Sequence, residues 1–411
     1  MSLDRAACAA LDHDDPLAEF RDAFEIADGV IYLDGNSLGA LPKATRQRLA
    51  DVVAREWGGE LIRGWNTAGW ITLPQRVGAS IASLIGAEAD EVIAADSTSV
   101  NLFKLATAAL ALRPGRWVIV TEPGNFPTDL YILQGVRDLL GDRVELRVVE
   151  PDHIEQALDA DTALLLLTQV HYKTGRIHDM ARLTAKAHAA GALALWDLSH
   201  SAGAIDVDLN AAGADLAVGC GYKYLNGGPG APAFLYAARR HQAQLRSPLS
   251  GWMGHAAPFA FGDDYAPAPG IERMLCGTPP ILGLAALEVG VGIMASADRR
   301  AVRAKSMALG DLFIRLVEES CPGQFILHSP RDAQARGSQV SFGHPEGYAI
   351  MQALIARGVI GDFRAPDVIR FGFAPLYVRY VDVYDAVAHL KDIMDSGAWQ
   401  DAAYQTRGAV T

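Results

Sequence analysis

Ala163-Leu-Leu-Leu-Leu-Thr-Gln-Val170, a helical stretch over Met180–Ala190, and Leu193-Ala-Leu-Trp-Asp-Leu198 make up the segment that decides the fold. Residues 163–167 are apolar at every position, the pattern of a strand covered on both faces rather than one. Strand, helix and strand in succession require a right-handed crossover between parallel neighbours. The alternation extends outward in both directions. Further strand-like runs lie at Glu91–Ala95, Trp117–Glu122, Val144–Val149, Leu216–Cys220 and Ala233–Tyr236, with helical patterns at Val100–Leu112 and Leu130–Leu140. The spacing predicts an α/β unit with a mostly parallel, seven-stranded sheet and helices on both faces. Ligands of such sheets bind beyond the carboxyl ends of the strands. The residues that follow each run are therefore the candidates for chemistry.

Past about residue 300 the pattern changes. Gln324–His328, Gln339–Phe342, Val359–Asp362 and Val368–Phe373 read as strands, and Tyr348–Ala356 and Tyr384–Met394 as helices, which predicts a smaller α+β unit. The expected division is a large cofactor-binding domain over 64–298 and a small domain made of 1–63 and 299–411. The length of 411 residues is enough for two or three domains of about 150 residues.

Composition narrows the function classes. Hydrophobic residues make up 50% and charged residues 20% of the chain, which excludes a disordered or low-complexity protein. A net charge of −12 argues against nucleic acid or an anionic membrane as the main partner. The four cysteines, Cys8, Cys220, Cys276 and Cys321, form no C-x-x-C pair, so no zinc site or disulfide framework is expected and a reducing compartment fits. The apolar stretch Ala6–Leu11 is too short for a signal segment, and Lys104 and Glu288 interrupt the two most apolar runs. The expectation is a cytoplasmic protein without metal.

Four strand ends carry the motifs. Asp96-Ser97-Thr98-Ser99 precedes a helix, where hydroxyls cap free amides and also form an anion site; alone this is an ordinary N-cap. Phe126 lies in the loop after Trp117–Glu122, placed to stack on a ring or to anchor the loop. Asp197 ends an apolar strand, with His200 three residues on; a carboxylate buried there needs a cation or donor. Lys223 follows another apolar run and precedes Asn226-Gly-Gly-Pro-Gly230. In a partly dry site a lysine loses proton affinity and becomes nucleophilic; alone it reads as a surface lysine beside a turn. Neither G-x-x-x-x-G-K-[ST] nor H-E-x-x-H occurs. Together the four ask for a cofactor with a phosphate, a flat ring, a basic ring nitrogen and an aldehyde. Pyridoxal phosphate has those handles, and an imine lysine with an aspartate on the pyridine nitrogen is its usual arrangement.

The sequence resembles the kynureninases, pyridoxal-phosphate enzymes of fold type I, over most of its length. The resemblance rests on Tyr32-Leu-Asp-Gly-Asn36-Ser37-Leu38-Gly39, Thr98-Ser99-Val100-Asn101-Leu102, Phe126-Pro-Thr-Asp129 and Val170-His171-Tyr172-Lys173-Thr174-Gly175. It continues through Asp197-Leu-Ser-His200, Tyr222-Lys223-Tyr224-Leu225-Asn226-Gly227-Gly228-Pro229-Gly230, Gly251-Trp252, Gly277-Thr278-Pro279-Pro280 and Arg370. It implies hydrolysis of L-kynurenine to anthranilate and L-alanine by Cβ–Cγ cleavage, with 3-hydroxykynurenine as a further substrate, either in tryptophan degradation or in a route feeding NAD biosynthesis.

The resemblance also implies roles. Lys223 is the Schiff-base lysine (Lys173 is the alternative), Asp197 holds the ring nitrogen, and His200 lies beside it. Thr98, Ser99, Tyr222, Trp252 and Thr278 hold the phosphate, Thr278 reaching in from the neighbouring subunit of a homodimer. Phe126, Asp129 and Thr168 line the cofactor. Tyr222 is also the acid–base candidate of the later steps. Arg370 grips the substrate α-carboxylate, with Ser37 and Trp65 in the substrate pocket. Trp65 stands where vertebrate members carry a histidine that favours the hydroxylated substrate, which implies the bacterial-type preference for plain kynurenine. Thr278 stands where those members carry asparagine. Other fold-type-I enzymes, a cysteine desulfurase or an aminotransferase, are the alternatives; a desulfurase needs a nucleophilic cysteine on a mobile loop, and Cys321 is poorly placed for that.

Overall fold

The computed structural model describes residues 4–408. Its centre is a seven-stranded sheet in the order Val92–Ala94, Phe234–Ala237, Leu216–Gly219, Leu193–Asp197, Thr162–Thr168, Val118–Thr121, Glu145–Val148. All seven strand-like runs of the sequence are in it. Six strands point the same way, five of them in one contiguous parallel run, and Phe234–Ala237 pairs antiparallel to both of its neighbours. Thr162–Thr168 is buried along its whole length, as its unbroken apolar run requires. Each fully buried leucine there contributes about 1.5–3 kcal/mol relative to an exposed one. The register pairs Thr168 with Asp197, so two candidate residues leave the sheet side by side.

A second, four-stranded antiparallel sheet has the order Ile326–Leu327, Gln339–Gly343, Val368–Gly372, Asp362–Arg364. The run 359–362, expected as one strand, is two. Val359–Ile360 pairs in parallel with Ile31–Tyr32, while Asp362–Arg364 pairs with Val368–Gly372. The break is at Gly361, where a Cβ would lie 2.9 Å from the carbonyl oxygen of Arg370. The tail also has a helix that the reading of its strands passed over, Arg299–Ser320, whose buried Val302, Leu309, Phe313 and Leu316 recur at helical spacing.

The N-terminal segment joins the two sheets. Ile31–Tyr32 lies against the small unit, Asp34 bridges to Gly372, and the Gly39 amide donates to the Tyr222 carbonyl at 2.7 Å. A Cβ on Gly39 would stand 2.4 Å from the carbonyl oxygen of Lys223, so only glycine permits this approach. Asn36 and Ser37 are thereby carried to the edge where the large sheet ends.

Candidate functional site

The site is at the carboxyl edge of the large sheet. Lys223 is nearly buried, and its Nζ lies 2.9 Å from Nε2 of His200. Nδ1 of His200 is 3.0 Å from Oε1 of Gln339, whose own Nε2 donates to the Tyr172 carbonyl at 2.7 Å. That amide orientation makes Nδ1 the donor and leaves the Nε2 lone pair facing the lysine. Burial, then the charges of Lys223 and Arg370, push His200 well below its ordinary pKa, so the ring is neutral. Nζ of Lys223 also sits 5.6 Å from the centre of the Phe126 ring, which meets Tyr172 edge-on at 5.2 Å. Lys173, by contrast, directs its Nζ to the Ala365 carbonyl at 3.1 Å.

Asp197 is buried and accepts the Ser199 amide at 2.7 Å. Burial raises its pKa, against the opposing pull of Ser199 and Lys223. Asp129, in the helix Pro127–Leu140, faces it. Burial and then the charge of Asp197 raise Asp129 well above the carboxylate range. Two carboxyls in such contact share one proton, and Asp129 is the one that keeps it. Thr168 donates to Oδ2 of Asp129 at 3.0 Å and also contacts Asn125, while Oδ1 of Asp129 is buried without a partner.

Beyond the strand Val92–Ala94 the helix begins at Thr98, two residues earlier than its apolar pattern indicates. Ser97 is the N-cap and accepts from the Val100 amide. The turn is braced by Lys104, fully buried, whose Nζ reaches Asp96 and the Met274 carbonyl, each at 2.5 Å. Thr98 and Ser99 thus stand in the first turn of a 15-residue helix, where free amides favour an anion. Tyr222, half-buried beside Lys223, has its hydroxyl pKa raised by burial and by Cys220 and Asp197, and holds its proton through the neutral range.

Arg370 and Ser37 also meet. Arg370, on the strand Val368–Gly372, donates from Nη2 to Ser37 Oγ at 3.0 Å. Trp65, Trp252 and Thr278 do not join this cluster within the chain: among the described residues none shares a hydrogen bond or ring contact with it. Trp65 packs edge-on against Trp70 at 6.0 Å, Trp252 against Phe259 at 5.7 Å, and Thr278 is exposed. Trp252 lines a separate hollow with His255 and Phe261, and Trp65 lies instead beside an exposed apolar face, packed against Val52 and Trp70. An apolar groove of about 380 Å³ there is lined by Val52, Trp57, Trp70, Pro280 and Ile281, with Leu61, Ile62 and Leu282 exposed as well.

Comparison with known proteins places this arrangement. The chain is 55% identical over 99% of its length to the kynureninase of Burkholderia mallei, covering 99% of that protein, and 53% identical, with the same coverage, to that of Pseudomonas fluorescens. The chain belongs to the kynureninase family. The model of the kynureninase C-terminal domain matches residues 302–390, the part that carries Arg370. Among solved structures, a cysteine desulfurase of Thermococcus onnurineus superposes with a TM-score of 0.77 over 92% of this chain and 98% of that one, at 19% identity. A cystine C-S lyase bound to cysteine persulfide superposes at 0.75 over 89% of this chain and 98% of that one, at 16% identity. These two share the fold, that of fold-type-I pyridoxal-phosphate enzymes.

A kynureninase site is built for pyridoxal phosphate, and the buried polar groups here fit it. Among the described residues, Asp197 is a carboxylate with no cation in ion-pair range, Asp129 an acid with an unpartnered oxygen, and Lys223 a side chain whose one hydrogen-bond partner is a neutral imidazole. A protonated ring nitrogen and an aldehyde are what this donor set lacks. Four residues of the site escape the sequence reading. Asn125 and Gln339 fix Thr168 and His200; Asp34 and Asp362 surround Arg370. Asn125, next to Phe126, is the one that a local signal could have found.

Proposed function

We propose that the protein is a pyridoxal-phosphate-dependent hydrolase that converts L-kynurenine to anthranilate and L-alanine. Kinship over the whole length of the chain supports this, and the observation that carries it is the convergence of Lys223, Asp197 and His200 on one strand edge beside Arg370. When bound, pyridoxal phosphate would draw electrons from the substrate's Cα, so that after water adds to the γ-carbonyl the Cβ–Cγ bond can break and the carbonyl carbon can leave as the carboxylate of anthranilate.

The chain's residues do the rest. Asp197 accepts the ring nitrogen's proton in a hydrogen bond, and Asp129, itself protonated, keeps that carboxylate charged. Phe126 covers the ring face. The amides and hydroxyls of Thr98 and Ser99 hold the phosphate, with Tyr222 and Trp252. Lys223 would hold the cofactor at rest, and its Nζ, free when substrate is bound, would take the Cα proton. Neutral His200 accepts a hydrogen bond from that Nζ without adding charge. Tyr222 is the acid that returns a proton after anthranilate has left. Arg370 and Ser37 hold the α-carboxylate. Trp65, Thr278 and the apolar face around Trp57 belong to a homodimer, in which Thr278 completes the partner's phosphate site and Trp65 shapes the substrate pocket. The division between a large unit over 64–298 and a small unit made of 1–63 and 299–411 is part of this proposal. No single helix among the described residues is long and apolar enough to cross a membrane, and we place the enzyme in the cytoplasm.

The test is to mix the protein and pyridoxal phosphate with L-kynurenine and, in parallel, with 3-hydroxy-L-kynurenine. Equimolar aromatic product and alanine are expected, faster from kynurenine. A cofactor bound with its visible absorbance, but no product, would overturn the substrate while leaving the fold intact.

A further inference from the structure

We infer that Arg364 is a second binding residue for the substrate's α-carboxylate, set beside Arg370 by the carboxylate of Asp362. The inference rests on the proposed reading of Arg370 and extends it.

It begins with register. Asp362 lies directly across the ladder from Arg370, and Arg364, two residues on, points to the same face of its strand. All three side chains therefore gather on one side of the small sheet. Asp362 bonds both guanidiniums. It accepts from Nε of Arg370 at 2.9 Å and from its Nη2, and lies 2.8 Å from Nη2 of Arg364. Ser37 stands between them, donating to Asp362 at 2.7 Å while Nη2 of Arg370 and Nη2 of Arg364 approach it at 3.0 and 3.5 Å.

Counting donors shows why one arginine is not enough. A guanidinium has five N–H groups. On Arg370, Nε and one Nη2 hydrogen go to Asp362, the other Nη2 hydrogen to Ser37, and one Nη1 hydrogen to the Tyr172 carbonyl at 2.5 Å. One N–H remains, whereas a carboxylate has room for several donors. Arg364 spends Nη2 on Asp362 and Ser37 and one Nη1 hydrogen on the Phe363 carbonyl, and keeps two. Its side chain is 34% exposed against 2% for Arg370, so Arg364 is the guanidinium on the open side.

Charge points the same way. Burial opposes ionisation of Asp362, but Arg370 and Arg364 outweigh it and hold its pKa below the ordinary value. Burial and then Asp362 push Asp34 up to about 7. Below that pH two guanidiniums face one carboxylate, and a single added anion balances them.

The experiment compares L-alanine with L-alaninamide, which lacks the carboxylate, binding to the holoenzyme, read from the change in visible absorbance. For Arg364→Gln the dissociation constant of L-alanine should rise about tenfold to a hundredfold, the range for a hydrogen bond to a charged group. That of alaninamide should stay within about twofold, and Arg364→Lys should recover part of the loss. Equal weakening of both ligands, or of neither, overturns the inference. Arg370→Gln is the control: if it loses alanine selectivity while Arg364→Gln does not, only the second arginine falls. If Arg370→Gln also binds both ligands normally, the reading of the carboxylate pocket falls with it.

Discussion

Two carboxylates on neighbouring strands, at opposite edges of the large sheet, are treated in opposite ways. Asp215 precedes Leu216–Gly219 at the amino edge; Asp197 ends Leu193–Asp197 at the carboxyl edge. Both are buried. Asp215 is saturated: His188, His241 and Arg240 each reach it at 2.7 Å, and the Ala194 amide donates at 2.8 Å. Burial would raise its pKa, but those donors outweigh it and hold it below the carboxylate range. Among the described residues, Asp197 has one backbone donor, the protonated Asp129 beside it and no cation in ion-pair range, and its pKa is raised. At one edge the chain spends an arginine and two imidazoles on a lock. At the other it leaves a charge uncompensated for something that must come from outside.

The variant expected to break the carboxyl-edge arrangement most completely is Lys223→Ala. It should lower kcat by at least about four orders of magnitude, as loss of a covalent residue does, and abolish the visible band of covalently held cofactor. Retention of both would transfer the role to Lys173.

Asp197→Asn comes next. It keeps the shape and removes the charge, and should cost about a hundredfold to a thousandfold in kcat/KM, the range for one preorganised electrostatic partner. In the cofactor-free protein its Tm should be unchanged or raised, because an uncompensated buried charge is removed. A lowered Tm there would show that Asp197 is structural after all.

Asp215→Asn should do the reverse. Leaving three cationic or polar partners around a neutral amide costs about 3 kcal/mol or more, read as a lower Tm, while kcat per folded molecule is unchanged. Because its pKa is depressed in the fold, Asp215 contributes stability that is fully present above the unfolded carboxylate pKa of about 4. That contribution is lost as pH falls through the folded value. The Tm gap between the native protein and Asp215→Asn should therefore narrow below about pH 4. A gap that stayed constant down to pH 2 would remove Asp215 as the lock.

The contrast also explains what could be read in advance. The large sheet was legible because each strand is a local apolar run, and its chemistry because Asp197, His200, Lys223 and Thr98 each sit within a few residues of a strand end. Asp34, Asp362 and Arg364 carried no such mark. Their meaning comes from pairing across 8 to more than 300 residues, Ser37 with Arg370 being 333 apart. Gln339 was inside a strand that was read correctly, but its orientation toward His200 depends on how the two units pack. Trp65, Trp252 and Thr278 entered through resemblance alone, and a single chain does not bring them to Lys223.

The smallest effect expected tests that last group. Trp65 packs on Trp70 beside the apolar face, so in the proposed homodimer it shapes the pocket wall rather than touching the reacting atoms. Trp65→His replaces a large apolar wall with a smaller ring that can hydrogen-bond to a substrate hydroxyl. The ratio of kcat/KM for 3-hydroxykynurenine to that for kynurenine should rise by about tenfold, since a pocket without a polar group discriminates weakly against an added hydroxyl. Because Trp65 shares no ring contact with the Lys223 cluster within one chain, a mixed dimer of a protomer carrying Lys223→Ala with Trp65→His and a native partner should show the shifted ratio at its one working site. A native ratio in that mixed dimer would place Trp65 in its own chain's site. A ratio that does not shift even when both protomers carry Trp65→His would leave it a packing residue of the apolar face.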